Sequence, residues 1–494
     1  MTDVLLSHSY FLRFDRKQFK TMQPYAPLST LYAASVLREA GISVVLFDSM
    51  FASREEELSM MIRKYSPKIV AICDDNFNYL TKMCLERMRL ATYRMIEIAR
   101  QARCTVIVSA LDSSDRFSEY LYHGAQFVIY GEPEYTLLEL CEDILSKDSR
   151  DVGSINGVIF KSEGKVIIAP PRAPTSNLDL IPFPAWDLVD IERYRIAWQN
   201  RHRYFSMNLV TTRGCPFGCN WCAKPVYGRS YNSRSPENVM EEIAIIVDRY
   251  HPDHIWFCDD IFGLKSGWIR QFSEEVAKTN IRIRYKCLSR PDLLLKENSF
   301  QLLAASGCET VWIGAESGSQ KILDAMEKGT RVEQIRLATR KLRKEGIRVG
   351  YFLQFGYPGE TYEEIRKTFR MVLDEMPDEI GVSVSYPLPG TEFYEMVRRN
   401  LGAKKNWYDS SDISLLFPGE FKPIFYRVLH SFLHKIHRMR RITLRMEKLT
   451  LRSIFIYLVN LVSLPWLFLV MQLLRIRNPE TESSITITQM NYDK

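Results

Sequence analysis

A chain of 494 residues is too long for one ordinary core, and with 46% hydrophobic and 25% charged residues it is not a disordered polymer. The net charge of +7 is concentrated: Phe421 to Arg452 holds nine basic residues (Lys422, Arg427, Lys435, Arg438, Arg440, Arg441, Arg445, Lys448, Arg452) against Glu447 alone, a local +8. The rest sums to about −1, which excludes a nucleic-acid-binding body.

Residues 1–150 alternate strand and helix signals. Strands are predicted at 3–8, 43–48, 68–73, 104–110 and 126–131, with a helix over Leu28–Ala40 that stops at Gly41. Short apolar runs between helices predict a parallel, doubly wound, Rossmann-like sheet covered on both faces. Ligands of such sheets bind past the strand C-termini, which here carry Ser7–His8, Asp48, Asp74–Asp75–Asn76, Ser109 and Gly131–Glu132. His8 reads as a strand-end polar residue. Residues 151–200 hold a hairpin over 155–170, turning at Glu163–Gly164, and a Pro-rich linker over 170–186.

A second alternating series occupies 201–400. Its strand candidates are 205–212, 254–259, 281–287, 310–316, 348–356 and 379–387, with helices such as Pro236–Tyr250 and Arg331–Glu345 between them. Six strand–helix units predict a partial (β/α)6 barrel, active at the strand C-terminal ends. Tyr351 and Tyr386, near its mouth, read as packing residues. A basic helical region, 401–452, follows. The last part, 453–494, pairs an apolar segment with a polar tail. Ile454 to Leu474 runs 21 residues without a charge, which fits a membrane span, against Asn460, Ser463 and Pro465; the alternative is a buried core helix. The basic block before it would face anionic lipid on the cytoplasmic side.

Seven of the ten cysteines (73, 84, 104, 141, 258, 287, 308) are scattered singly, mostly in apolar runs, and read as buried thiols of a reducing cytoplasm. No secretory signal opens the chain, since VLLSHS is short and follows an Asp. The remaining three, Cys215, Cys219 and Cys222, form C-x3-C-x2-C on the loop after a predicted strand. Thiolates select zinc, Cu(I) or iron–sulfur clusters. A structural zinc wants a fourth ligand nearby, and a [4Fe–4S] cube is normally held by four thiolates. Three ligands would leave one iron open for a substrate or cofactor; zinc or plain core thiols are the alternatives. Trp221, beside the last Cys, offers a face on which an adenine can stack.

Over roughly 205–400 the chain resembles the radical S-adenosylmethionine (SAM) enzymes: RGCPFGCNWC resembles the cluster loop, and FCDDIFG, CLSRPDLL, GCETVWIGAESGSQKILDAMEKG and FGYPGET resemble successive strand-end motifs of their partial barrel. The resemblance implies that Cys215, Cys219 and Cys222 hold a [4Fe–4S] cluster whose open iron chelates SAM, and that one electron yields a 5′-deoxyadenosyl radical. By position it places Glu316 and Ser317 against SAM, Arg290 at its carboxylate, and Asp260 and Gln354 at the same mouth, with Trp221 on the adenine.

YAPLSTLYAASVLREAGISVVLFDS, VAICDDNFNY and FVIYGEPEYTLLEL resemble the cobalamin-binding domain fused ahead of many such enzymes. That resemblance implies cobalamin contacts at Pro27, Asp48, Asp75, Ser109, Gly131 and Glu132. The chain lacks the Asp-x-His-x-x-Gly motif of that fold, and Ser109–Ala110 stands where Gly-Gly is common. Together the two resemblances imply methylation of an unactivated carbon of a small substrate, with a reductant such as flavodoxin or ferredoxin and no nucleic acid; the apolar C-terminal segment adds the expectation of a lipid-like substrate and of attachment to the inner face of the membrane. Cyclisation or rearrangement with the same cofactors is one alternative, and a membrane-anchored iron–sulfur scaffold or electron carrier another. A tRNA methylthiotransferase would want a three-cysteine cluster in the first domain, for which Cys73, Cys84, Cys104 and Cys141 are poorly spaced.

Overall fold

The computed structural model describes residues 2–146, 152–222, 227–444 and 450–475, without the side chains of 452 and 453. The polar tail past 475, and the part of the basic run at 445–449, lie outside the described residues. Packing divides the chain into two units: Met1–Pro216 with Ala223–Tyr285 and Asn406–Asp412, and Phe217–Cys222 with Lys286–Lys405 and Ile413–Lys494.

In the first unit, β1 (Val4–Ser7), β2 (Val44–Phe47), β3 (Ile69–Cys73), β4 (Thr105–Ser109) and β5 (Phe127–Ile129) pair in parallel, and β6 (Val158–Ser162) and β7 (Lys165–Ile168) add an antiparallel hairpin. The order β2-β1-β3-β4-β5-β6-β7 is doubly wound with its switch point between β1 and β3. Every residue of β3 is buried, as expected of a strand covered on both faces. Val70, Ile72, Val106 and Val108 of the central strands pack with Met95 and Ile96 of the Glu86–Gln101 helix. The hairpin turns at Glu163 and Gly164, both at positive φ, so the predicted 155–170 hairpin extends the sheet.

The second series forms β8 (Ser206–Leu209), β9 (Thr212–Arg213), β10 (Asn232–Ser233), β11 (His254–Phe257), β12 (Tyr285–Ser289), β13 (Cys308–Glu316), β14 (Arg348–Phe355) and β15 (Glu379–Val384). Six of these make the half-barrel sheet β15-β14-β13-β12-β11-β8, while β9 and β10 form a separate antiparallel ribbon. Between them the Pro236–Tyr250 helix follows its local signals: Ser235 caps it by accepting from the Asn238 N–H, Pro236 occupies its first position, and Val239, Met240, Ile243 and Ile246 are buried.

Two sequence expectations need correction. The strand expected at 281–287 begins at Tyr285. The strand expected over 205–212 is cut after Leu209, because Asp259 captures the chain there. The Asp259 carboxylate accepts the Thr211 N–H at 2.7 Å, the Thr212 N–H at 2.6 Å, the Thr211 hydroxyl at 2.9 Å and the Thr212 hydroxyl at 2.8 Å. Those donors are lost to the ladder, and the chain turns into β9 and the cysteine loop. Burial pushes the Asp259 carboxyl up to about 6, with the four donors pulling the other way.

In the second unit the helix Pro423–Thr443 buries Phe425, Tyr426, Leu429 and Leu433, and the helix Leu451–Leu473 packs along it. Near Tyr426 the Glu360 carboxylate accepts the Gly356 N–H at 2.6 Å, while its buried Oε1 and the Tyr426 hydroxyl have no hydrogen-bond partner among the described residues. Burial pushes Glu360 from its ordinary 4.5 up to about 8.

Replacing Asp259 by Ala strands four buried donors, and is expected to destabilise the first unit by about 3–5 kcal/mol, read as an earlier thermal transition. Asp259→Asn, which keeps one acceptor oxygen, is expected to cost less. The folded Glu360 carboxyl is raised, so its contribution to stability is full below the ordinary carboxylate pKa and lost as pH rises toward about 8. Glu360→Gln is therefore expected to flatten the fall of the melting temperature over that window; an unchanged slope would remove Glu360 as its source.

Candidate functional site

The first unit supplies the root of the cysteine loop. Arg213, the last residue of β9, is buried between two carboxylates: Nη1 donates to Glu132 at 3.2 Å and Nη2 to Glu134 at 2.7 Å. The rings of Tyr32, Phe77 and Tyr227 stand 5.5–5.6 Å from its guanidinium. Burial holds the Glu132 carboxyl above its usual range against the pull of Arg213, with Glu134 adding to the rise. Gly214 follows at φ 84, and a Cβ there would stand 2.0 Å from the Ser230 carbonyl oxygen, so no other residue fits. Cys215 is buried. Asp260, unlike Asp259, faces solvent and pairs with Lys82 at 2.5 Å.

The second unit holds the rest of the loop and the ends of β12 and β13. Cys219 and Cys222 are partly exposed, and the Cys222 N–H donates to the Cys219 carbonyl at 3.4 Å. Arg290, just past β12, donates to Cys219 Sγ at 3.8 Å and to the Lys328 carbonyl at 2.8 Å, pairs with Asp292 at 3.0 Å, and lies 3.6 Å over the Phe217 ring. Glu316 ends β13 at φ 56, where the register to β14 shifts. Its carboxylate accepts from Lys328 Nζ at 2.9 Å, and both side chains are buried. A Cβ on Gly314 would stand 2.7 Å from that Nζ and 2.9 Å from Glu316 Oε1, so the pair lies over bare backbone and a larger residue there would push it aside. Burial opposes the Lys328 charge, but the carboxylate of Glu316 and the Cys219 sulfur outweigh it and hold the ammonium above its usual value. Lys328 Nζ also stands 5.7 Å from the Trp221 ring, whose buried Nε1 has no hydrogen-bond partner among the described residues.

Cys219, Trp221, Arg290 and Glu316 are thus brought together, with Lys328 at their centre. The other three residues predicted at this mouth join separate sets: Asp260 pairs with Lys82, Ser317 meets Thr368 at 3.2 Å and caps Ser319 N–H at 3.1 Å, and Gln354 donates to Ser385 at 2.9 Å. Tyr351 and Tyr386 are buried, and the Tyr351 hydroxyl bonds Thr339 at 2.5 Å, as packing residues do. Among the described residues no three His, Cys, Asp or Glu side chains are gathered closely enough to hold a metal, so the ligand assignment rests on the loop's spacing. The donor set suits an iron–sulfur cluster all the same: three thiols on one loop, a guanidinium beside one of them, and an indole N–H that meets no acceptor among the described residues.

Along the C-terminal edge of the first sheet the register aligns Ser7 with Phe47 and Cys73 with Ser109, so the predicted cobalamin contacts share one edge. Their carboxylates are engaged within the protein. Asp48 accepts from Tyr194 at 2.7 Å and from the Met50 N–H at 3.0 Å, and meets His8 at 2.9 Å. Burial works against its charge, yet these partners hold it below the usual carboxylate range. Asp75 accepts the Ser29 and Phe77 N–H groups at 3.2 Å, and burial pushes it up to about 6. Glu132 belongs to Arg213. Pro27 precedes the Leu28–Glu39 helix and takes the Leu31 N–H on its carbonyl at 3.0 Å. Gly131, at φ 86, has no atom within 4 Å of where a Cβ would stand, which leaves the backbone open to a ligand there.

Sequence reasoning passed over Asp259, Arg213 and Lys328. For Asp259 a signal existed: strand alternation puts it on the same side as the buried Phe257, two residues earlier.

The sequence profile of the radical SAM superfamily matches residues 209–372. A protein of Pyrococcus horikoshii named an uncharacterized methyltransferase is 29% identical, covering 77% of this chain and 80% of its own. The anaerobic magnesium-protoporphyrin IX monomethyl ester cyclase of Rubrivivax gelatinosus is 25% identical, covering 80% and 69%. The hopanoid C-3 methylase of Methylococcus capsulatus is 28% identical, covering 76% and 69%. In fold, the chain is similar to OxsB, a cobalamin-dependent SAM radical enzyme solved with aqua-cobalamin (TM-score 0.72, 17% identity, 95% of this chain and 72% of that one). It is similar also to TsrM of Kitasatospora setae, a radical SAM methyltransferase solved with cobalamin and a [4Fe-4S] cluster (TM-score 0.66, 21% identity, 82% and 76%).

Replacing Lys328 by Met leaves the Glu316 carboxylate buried and unpaired, and is expected to cost about 3–5 kcal/mol of stability. Adding Glu316→Gln should restore most of that loss. A double variant no more stable than Lys328→Met alone would show that the two side chains do not act as a pair.

Proposed function

We propose that the chain, whose residues 209–372 match the radical SAM superfamily profile and whose fold is similar to those of OxsB and TsrM, is a cobalamin-dependent methyltransferase. Its target is an unactivated carbon of a small, lipid-like substrate. The observation that carries this reading is the three-thiol spacing of the loop, whose Cys219 is reached by Arg290 within the second unit beside the buried Glu316–Lys328 pair.

Cys215, Cys219 and Cys222 would hold the [4Fe–4S] cluster, which when bound supplies the electron that cleaves the sulfonium of SAM. Arg290 places a fixed positive charge against the Cys219 sulfur. Trp221 presents a ring face and an indole N–H to the nucleotide. Glu316, at the strained end of β13, offers a carboxylate to an ammonium group, and Lys328 holds it in place until then. Ser317, Gln354 and Asp260 are assigned outer positions at the same mouth. On the first unit, Pro27, Ser109 and Gly131 would hold cobalamin, which when bound supplies the methyl group. Asp48, Asp75 and Glu132 shape that edge through their internal bonds rather than by direct contact. We assign the cobalamin-binding domain to 1–150 and the barrel to 201–400. A small reductant such as flavodoxin or ferredoxin completes the cycle. The apolar segment at 454–473 supports association with the inner face of a membrane, and so a membrane-resident substrate. Cyclisation with the same cofactors is the second reading, favoured by the cyclase among the relatives.

Anaerobic reconstitution with iron, sulfide and hydroxocobalamin tests the reading. The protein is expected to retain cobalamin, to show the brown cluster absorbance, and to release 5′-deoxyadenosine from SAM once reduced. Cys219→Ala should lose the absorbance and the cleavage together. Cleavage retained by that variant would overturn the ligand assignment, and a protein that never cleaves SAM would be a scaffold.

A further inference from the structure

The helix Leu451–Leu473 contains a stretch, Ile454–Leu473, with a mean hydropathy of 2.2 and only 17% of its most apolar window buried. One stripe, Asn460, Leu464 and Met471, turns inward. Around the rest of the helix large apolar side chains face outward, among them Phe455 (67% exposed), Val462 (79%) and Trp466 (65%). So much apolar surface on one element wants a cover.

The neighbouring helix says what the cover is. On Pro423–Thr443, Lys422, Arg427, Arg438 and Arg440 are exposed, and the run from Phe421 to Arg452 carries nine cations against one acid. Apolar side chains next to clustered cations match an anionic phospholipid surface, with Trp466 suited to the headgroup level.

Length allows that helix to cross a bilayer, since 20 residues rise about 30 Å. Its packing does not. The two helices run antiparallel: Phe432 meets Phe468 with ring centroids 6.0 Å apart, and Lys435 Nζ donates to Ser463 at 2.8 Å. At the far end Gln472 donates to the Tyr362 hydroxyl at 2.7 Å, and Arg475 lies 3.9 Å over the same ring. The inner helix is itself fixed, with His437 bonded to the Pro377 carbonyl at 2.8 Å and Arg441 paired with Asp378 at 3.3 Å. A crossing orientation would either tear these contacts or draw Arg427, Lys435, Arg438 and Arg440 to hydrocarbon depth, where charge is costly.

We infer that the Leu451–Leu473 helix lies in the plane of an anionic phospholipid leaflet, immersed by its outer face, and does not cross it. The inference rests on the membrane-associated reading above and gives it a geometry.

The cluster-loaded, full-length protein is tested by flotation with vesicles of phosphatidylcholine alone or with phosphatidylglycerol. Flotation is expected only with the anionic vesicles, and Val462→Asp should weaken it about tenfold with the cluster absorbance unchanged. Orientation is read separately, from a C-terminal epitope on inside-out vesicles of cells producing the protein: external protease is expected to remove it. A protected epitope on bound protein would overturn the in-plane geometry while leaving association intact. Absence of flotation, with self-association in its place, would overturn association itself, and equal flotation on both vesicles or with Val462→Asp would overturn the lipid surface assigned here.

Discussion

Asp259 takes four hydrogen bonds from two consecutive threonines, and the course of the cysteine loop follows from that one carboxylate. Thr211 and Thr212 have the β-branched side chains of a strand, and without a competing acceptor their N–H groups belong to a ladder. A buried carboxylate is the stronger acceptor, so the strand stops and the chain turns. Arg213 then ties the turned chain to Glu132 and Glu134. Two carboxylates around one guanidinium, fully desolvated, are a poor source of net stability, and replacing them with apolar side chains would serve the fold as well. What the triad supplies is position: it stands two residues before Cys215, and Gly214 between them admits no side chain. A loop meant to wrap an inorganic cluster needs a rigid root, because the thiol-bearing part has little regular structure of its own.

The second unit uses a related device at the end of β13. A non-glycine residue at φ 56 costs about 1–3 kcal/mol unless its surroundings hold it there. Glu316 is held by Lys328 from one side and by the bare backbone of Gly314 beneath. Lys328 in turn is fixed at its carbonyl by Arg290, which also reaches Cys219. The result is a connected set of charges that are already desolvated before any ligand arrives. An ammonium or carboxylate entering such a set meets oriented partners and little reorganisation, which is where electrostatic preorganisation has its effect.

The layered architecture was legible because its signal is redundant. Each strand of the first sheet is an apolar run between amphipathic helices, and β3 to β5 lie within two residues of their expected bounds. The Pro236–Tyr250 helix agreed at both ends because Ser235 and Pro236 mark its start chemically. The break after Leu209 was not legible from local propensity, since its cause lies some fifty residues away in Asp259. In FCDDIFG both aspartates look alike; only the fold turns Asp259 inward and leaves Asp260 to Lys82. Lys328 escaped notice because a lone lysine after a short helix is ordinarily solvated. Asp48, Asp75 and Glu132 follow strand ends of the first sheet, as their sequence positions imply, but sequence does not reveal that all three are already bonded within the protein.

The terminal helices separate what hydropathy measures from what it is often taken to mean. A 20-residue apolar stretch registers as a span by length and composition, and both facts hold here. Orientation depends on the neighbour. Each cation drawn to the bilayer centre costs about 2.5–3.5 kcal/mol on insertion scales, so Lys435, opposite Ser463 in the middle of the stretch, and Arg438 one turn on would together cost roughly 5–7 kcal/mol. Turning the helix upright would recover little against that, because the outer face is immersed already when the helix lies flat and the inner stripe of Asn460, Leu464 and Met471 is buried either way. The same cations that forbid crossing are favourable at the surface of an anionic leaflet. The balance between these terms therefore turns on the neighbouring helix, and it favours an in-plane over a crossing orientation for the apolar stretch at any anionic surface.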